Sequence, residues 1–397
     1  MKILVANLGS TSFKYRLIAF DGESATVMAK GGYERVDDYE AALNDCLEQL
    51  LSQGYLDNKT ELGGVGFKTV VADGVTGCLE LDESVIKAMA RCNDLAPAHN
   101  PPYIEGVNQL RNALPGVPMV GLFETAFYQW MPEAAKRYAV PKSWYEAGIR
   151  RWGFHGASHK FIAERSAELL GRFDIAQRVR ELYINVDTSR TFDKNLRVVS
   201  LHLGGSSSVT GILNGVAIGN SMGFSPQSGL PQNNRVGDLD SFAVPLMMRR
   251  TGITYEDAEN ALSNDSGLLG LSGVSNDIRD IGDAAEKGNT DAQLAIDYLI
   301  HLARHWVGAF MFQMGGLDAL VFTAGIGEHR AEIRSKICSG LTDIGIEVDP
   351  QANNSIRGSE GQISTQNSKT KIFVVPANEE LVVAREVKRF IENKNKQ

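Results

Sequence analysis

Two stretches decide the reading of this chain: ILVANLGSTSFKYRLIAF at residues 3–20 and VVSLHLGGSSSVTGILNGV at residues 198–216. Each is an apolar run, then Leu-Gly, then small residues, then a second run with apolar residues at intervals. Each reads as a strand, a tight turn and a returning strand. Glycine and hydroxyl residues in such a turn expose backbone N–H groups and side-chain hydroxyls together, a concavity suited to phosphate oxygens. One such turn is ordinary. Two, each opening its own half of the chain, are what a nucleotide cleft between related domains requires. Around them, apolar strands such as GGVGFKTVV, PMVGLFETAF and KIFVV alternate with helical patterns such as EAALNDCLEQLLSQG, which predicts an α/β fold.

At 397 residues the chain has room for two domains, and 43% hydrophobic with 22% charged residues describes a globular protein. The formal charge of −8 argues against nucleic acid and anionic membranes as partners, so an anionic substrate needs a local basic site. Cys46, Cys78, Cys92 and Cys338 form no CxxC pair and read as reduced thiols in a cytoplasm. The apolar stretch DYLIHLARHWVGAFMFQMGG is interrupted by His301, Arg304 and His305 and reads as a buried helix, not a membrane span. MGFSPQSGLPQNNRVGDLD has no period and reads as a long functional loop. In GFHGASH, Gly156 lies between His155 and His159 and no Glu follows the first His, a poor helical metal pair. FTAGIGE follows an apolar strand and precedes a helix, where backbone can approach a nucleotide. The acids of FETAF and NEE are candidates for magnesium, or equally solvated carboxylates at loop ends.

The ordered run NLGSTSFK, LAPAHNP, FETAF, RRWGFHGASH, HLGGSS, MGFSP, RVGDLD, SGVSNDIRD, FTAGIGE and ANEELVVARE closely resembles the acetate kinase family. The resemblance implies two duplicated actin-like (ribonuclease H-like) domains with a nucleotide cleft between them. One domain would be residues 1–128 plus 381–397, the other residues 129–380 with the nucleotide site and the dimer interface. It implies a cytoplasmic homodimer using ATP and Mg2+ to phosphorylate a small carboxylic acid reversibly. By the same resemblance Asn7, Ser10, Ser12 and Lys14 form the first phosphate loop, and Asn7 with Glu379 attends the metal. His202, Gly204, Gly205, Asp277, Ile278, Arg279, Gly325 and Ile326 would meet the nucleotide. Arg235, His155, Lys68 and Glu124 would be catalytic, and Lys68, Val70, Ala98, His99, Phe154 and Pro226 would line the acceptor pocket.

Three departures from the family pattern surround the acceptor. FKTVVADG puts Lys68 where the family has an arginine, exchanging a planar bidentate group for a point charge. Glu124 replaces an aspartate, and Ala98 replaces a leucine in the pocket wall, which leaves room for an acid longer than acetate. A kinase for a hydroxyl acceptor, with Glu124 as base, and a catalytically impaired nucleotide-binding regulator are the alternative readings.

Overall fold

Residues 1–9, 11–93, 99–185, 187 and 189–396 are described in a computed structural model of the chain. The strands are β1 (Lys2–Leu8), β2 (Ser12–Asp21), β3 (Ser24–Glu34), β4 (Leu62–Thr69), β5 (Cys78–Glu80) and β6 (Met119–Phe123) in the first half. The second half holds β7 (Arg197–Leu203), β8 (Ser207–Leu213), β9 (Val216–Asn220), β10 (Ala319–Thr323), β11 (Gly361–Gln362) and β12 (Lys371–Val374). The first sheet runs β3-β2-β1-β4-β6-β5, and the second, read from its far edge, runs β9-β8-β7-β10-β12-β11. Strand directions also match. The hairpin pairs and the last pair are antiparallel, and the two central pairs are parallel, in both sheets. The duplicated phrase in the sequence therefore opens a duplicated sheet.

Both sheets are covered on both faces, which is why their central strands read as unbroken apolar runs. Ile3, Leu4, Val5 and Ala6 of β1 are all fully buried. One cover of the first sheet is the C-terminal helix, Glu379–Lys394. Val383, Val387 and Ile391 recur every four residues, so they form one stripe facing the sheet. The stripe lies over Gly64 and Gly66 of β4. A Cβ at Gly64 would stand 2.5 Å from Ile391 Cδ1, and one at Gly66 would stand 2.9 Å from Val383 Cγ1. The second sheet uses the same device. Helix Thr290–Gln313 brings Phe310 against Gly211 and Gly219, where a Cβ would approach its ring to 2.6 and 2.7 Å. This is the stretch read as a buried helix; only one face of it is buried, with Phe312 90% exposed on the other, and no helix among the described residues is long and apolar enough to cross a membrane.

Helix Gly156–Leu169 covers the other face of the second sheet, with Ile162, Ala163 and Ala167 in its core. It also packs on the C-terminal helix of the first sheet through buried ion pairs. The aperiodic segment at 221–242 contains no helix or strand but is held by its own bonds. Gly229 N donates to Asp238 Oδ1 at 2.9 Å, and Asp238 N donates back to Gly229 O at 2.9 Å. Strand β3 carries no sequence signal because it is a largely exposed edge, with Val27 46% accessible.

Gly66→Ala tests the close helix–sheet contact. Overpacking of this kind typically destabilises by about 1–3 kcal/mol. The expected result is a lower urea midpoint with an unchanged slope. A parent-like midpoint would mean that the helix shifts without loss.

Candidate active site

The two hairpin turns differ in length, and the difference shapes what they hold. In the first, Leu8 pairs with Phe13, and Gly9 N donates to Ser12 O at 2.8 Å. A Cβ at Gly9 would sit 2.7 Å from Ser12 Oγ. Ser10 lies outside the described residues. Asn7 is opposite Lys14 in the hairpin register, and its Oδ1 accepts from Tyr103 Oη at 2.9 Å. Lys14 is exposed and paired with Glu34 at 3.1 Å.

In the second turn Leu203 pairs with Ser207, and Gly204 N donates to Ser207 Oγ at 3.1 Å. Ser206 Oγ donates to Gln232 Oε1 at 2.7 Å. Gly204 and Gly205 form one wall of a 560 Å³ cavity, with Asp277, Ile278, Arg279, Gly325 and Ile326 around it. Seven residues expected at the nucleotide thus come from three separate stretches to one cavity. Asp277 caps helix Ile278–Glu286 by accepting from Arg279 N, and pairs with the Arg279 guanidinium at 2.5 Å. That contact holds the Asp277 carboxyl down to about 2. Gly325 has open space where a side chain would stand. Asn233, His329, Arg330, Glu332 and Arg357 complete the lining, and nothing in the sequence singles them out.

A second cluster is built from the strand ends. Lys68 lies near the end of β4, Glu124 follows β6, and Glu379 opens the C-terminal helix. Lys68 Nζ is 2.5 Å from Glu379 Oε2 and 3.2 Å from Glu124 Oε1. Glu124 is fixed by its backbone: its N–H donates to Thr69 O, and its carbonyl accepts from Gly156 N, both at 2.9 Å. A Cβ at Gly156 would collide with that carbonyl, so the helix can start this close to Glu124 only on glycine. Burial pushes the Glu124 carboxyl up, and the charge of Glu379 adds to this against the pull of Lys68. Burial works the same way on Glu379, but the charge of Lys68 and the neighbouring His202 outweigh it and hold that carboxyl down. Burial would lower Lys68, yet the two carboxylates overcome it and raise the ammonium further. Both Glu124 oxygens are buried and neither accepts a well-directed hydrogen bond.

Three histidines stand beside this cluster. The rings of His155 and His202 stack at 4.1 Å. His155 Nδ1 and His159 Nε2 both lie 2.8 Å from Ser208 Oγ. The single hydroxyl proton of Ser208 can serve only one of them, so the tautomers of the two rings are linked. His159 Nδ1 meets Ser200 Oγ at 2.8 Å, and His202 Nδ1 meets Ser158 Oγ at 2.9 Å. Burial, then His202, holds both His155 and His159 well below the usual imidazole range. Burial takes His202 to about 4. His202, expected at the nucleotide, is therefore placed against His155 instead of in the cavity wall.

Arg235 donates from Nη1 to Gln232 Oε1 at 3.3 Å, and Gln232 Nε2 donates to the carbonyl of Pro226. Its charge reaches His99 and His155, so the long loop brings it to the same cluster. His99 is lowered first by lost hydration and then by the charges of Arg235 and Lys68. Phe154 is buried next to His155, with its carbonyl accepting from Tyr128 Oη at 2.6 Å. Val70 is half-buried, two residues beyond Lys68. Ala98 lies outside the described residues.

Comparison with known proteins identifies relatives over the full chain. The profile described as the Acetokinase family matches residues 30–385. An acetate kinase of Clostridium kluyveri is 37% identical over 421 aligned positions, covering 99% of this chain and 98% of that one. An acetate kinase of Methanosarcina thermophila is 38% identical, covering 100% and 98%. Among solved structures, Porphyromonas gingivalis acetate kinase superposes with a TM-score of 0.86 at 33% identity, covering 98% of each chain. A propionate kinase from Francisella tularensis superposes at 0.82 with 31% identity, covering 97% and 98%.

The buried histidines set an acid limit. Unfolded, each takes up a proton near the ordinary pKa of about 6.5; folded, all three resist protonation until lower pH. Their contribution to stability is therefore complete above about pH 6.5 and is lost as pH falls, by about 1.4 kcal/mol per unit for each uncompensated proton. Glu124, pushed up, acts in the opposite sense, but His99, lowered too, adds to the three. Urea unfolding at pH 7, 6 and 5 should show falling stability, and His202→Asn should flatten that slope. A pH-independent midpoint over this range would contradict the neutral-histidine assignment.

Proposed function

The chain belongs to the acetokinase family and is an ATP-dependent phosphotransferase that forms acyl phosphates from small carboxylic acids such as acetate and propionate; from that premise we propose that transfer takes place among Lys68, Glu124, His155, Arg235 and Glu379. The observation that carries this reading is one ammonium, Lys68, touching carboxylates from two distant parts of the chain beside three histidines depleted of charge.

A carboxylate acceptor is ionised at neutral pH, since carboxyl pKa values lie near about 4. It needs no general base, and uncharged histidines fit a site that takes no proton from its substrate. Catalysis then consists of alignment and charge neutralisation of an in-line transfer. Arg235 and Lys68 supply positive charge around the acceptor and the transferring phosphoryl group. His155, with Nδ1 committed to Ser208, has its other ring nitrogen left for a phosphoryl oxygen. ATP and ADP occupy the 560 Å³ cavity, the adenosine near Asp277–Arg279 and Gly325–Ile326 and the phosphates toward Gly204 and Gly205. By the family resemblance, Asn7, Ser12 and Lys14, with Ser10, would serve the phosphates from the first hairpin.

The residues present fit magnesium. Hard carboxylate oxygens suit it, and the two buried Glu124 oxygens accept no directed hydrogen bond, their nearby cation being Lys68 Nζ at 3.2 Å from Oε1, which an ion would have to displace. Glu124 and Glu379 would hold the ion, with the Asn7 amide oxygen, now engaged by Tyr103, as a further ligand. When bound, magnesium supplies charge neutralisation on the phosphate oxygens.

We assign residues 1–128 with 381–397 to one actin-like domain and 129–380 to the other, supported by the C-terminal helix lying in the first core. Phe242, capping helix Ala243–Thr251, Leu246 and Met247 on it, and Tyr255 on the adjacent helix are exposed, which supports a homodimer through the second domain. Four free cysteines suit a cytoplasmic site.

We infer a preference for an acid longer than acetate from the sequence alone, since position 98 carries alanine where the resemblance to the family implies a leucine in the pocket wall. Each additional buried methylene is worth roughly 0.8 kcal/mol. Trapping acyl phosphates as hydroxamates over acetate, propionate, butyrate and branched or hydroxy acids should favour a longer acid by at least about tenfold in kcat/KM, which two such methylenes supply. Equal or better efficiency on acetate would overturn the chain-length assignment. ADP release without hydroxamate would point to a hydroxyl acceptor.

A further inference from the structure

The site residues His155 and Glu379 stand at the starts of two helices that the chain separates by more than half its length. What fixes the separation between them lies behind the site. Glu379 and Glu386 are seven residues apart, two helical turns, so they share one face of the C-terminal helix with Glu386 about 10 Å behind. On helix Gly156–Leu169, Lys160 and Glu164 share a face at i,i+4. These faces meet. Lys160 Nζ lies 2.6 Å from Glu386 Oε1, with side chains 1% and 3% exposed. Arg389 grips Glu164 with two bonds of 2.9 and 3.0 Å and also donates to Glu386 at 2.7 Å. The Lys160 ammonium has the Tyr183 ring 5.0 Å away on another side.

A buried pair of this kind is a poor source of stability, because desolvation offsets most of the attraction between the charges. It is, however, intolerant of displacement: sliding one helix along the other separates desolvated charges. The residues just before Lys160 are those that order the histidines, with Ser158 on His202 and His159 on Ser200 and Ser208. A shift of this helix is therefore passed directly to the imidazoles, and a shift of the other to Glu379.

We propose that Lys160 and Glu386 are positioning residues that lock the two helices in register and thereby set the distance between the histidine cluster and the Lys68–Glu379 pair. This rests on the reading of His155 and Glu379 as site residues, and the parent enzyme's acyl phosphate formation tests that reading separately. A parent chain inert toward every acid would defeat the functional reading; an active parent leaves the variants to decide the lock.

The test is Lys160→Met combined with Glu386→Leu, which removes both charges and leaves Arg389 paired with Glu164. Apolar replacement of a buried pair is commonly neutral or stabilising, so the melting temperature should stay within about 3 °C of the parent. Loss of alignment should lower kcat at least about tenfold, with both KM values within about twofold, since misplacement by a fraction of an ångström acts on the transition state. Parent-like kcat in the folded variant overturns the proposal. So does a drop in melting temperature with no split between kcat and KM, which identifies a purely structural pair. If the double variant does not fold, Lys160→Met alone, with Glu386 still paired to Arg389, must show the same split; parent-like turnover there also overturns it.

Discussion

The arrangement turns on the Lys68 ammonium and the two carboxylates it touches. Lys68 comes from the end of β4, Glu124 from the end of β6 and Glu379 from the start of the last helix, so one charged contact ties three elements at one point. Glu124, 7% exposed, is the group that cannot be left there ionised alone; Lys68 and Glu379 keep about a quarter of their side-chain surface exposed. The burial that raises Glu124 makes it responsive to any cation, and the same lysine that restrains Glu124 keeps Glu379 ionised. A lysine in this role reaches both carboxylates through one rotatable centre, whereas a guanidinium would present a fixed planar fork.

The duplicated architecture explains how such a point can exist. Two sheets of the same order each carry a glycine-bearing hairpin turn, and strand ends from both bring Lys68, Glu124 and His202 to one region, where ligands gather in α/β folds. The halves have then diverged. The second turn is one residue shorter and faces the cavity with bare backbone at Gly204 and Gly205, while the first is tightened by the Gly9–Ser12 contact. Neutral imidazoles fill the space between, held by serines from β7, from β8 and from the adjoining helix.

Much of this was legible in the sequence, for identifiable reasons. Strands β1, β4, β6 and β10 are covered on both faces and announce themselves as apolar runs bounded by glycine or polar residues. β3 does not, because an exposed edge has no hydrophobic period to read. The cavity residues from Asp277 to Ile326 were found because resemblance to the acetate kinase family carries their order, not because spacing demanded it. Ser158, Ser200, Ser208 and Tyr103 were missed, since a lone hydroxyl acquires meaning only from the ring it meets in the fold. Lys160 and Glu386 were missed for the same reason: their partners are 226 positions apart, and each looks like a solvated helix charge. His202 lies one strand position from Leu203 and the second turn, but its ring turns to His155, a choice the sequence does not record.

The central claim is that Lys68 and Glu379 act as one unit during phosphoryl transfer. The direct measurement is a double-mutant cycle on turnover with Lys68→Met, Glu379→Gln and the pair together, using the best acid of the hydroxamate series. The account predicts strong non-additivity, with the double variant little worse than the poorer single and a coupling energy above about 1 kcal/mol. Losses that simply add would show that the two groups act independently and would contradict the account.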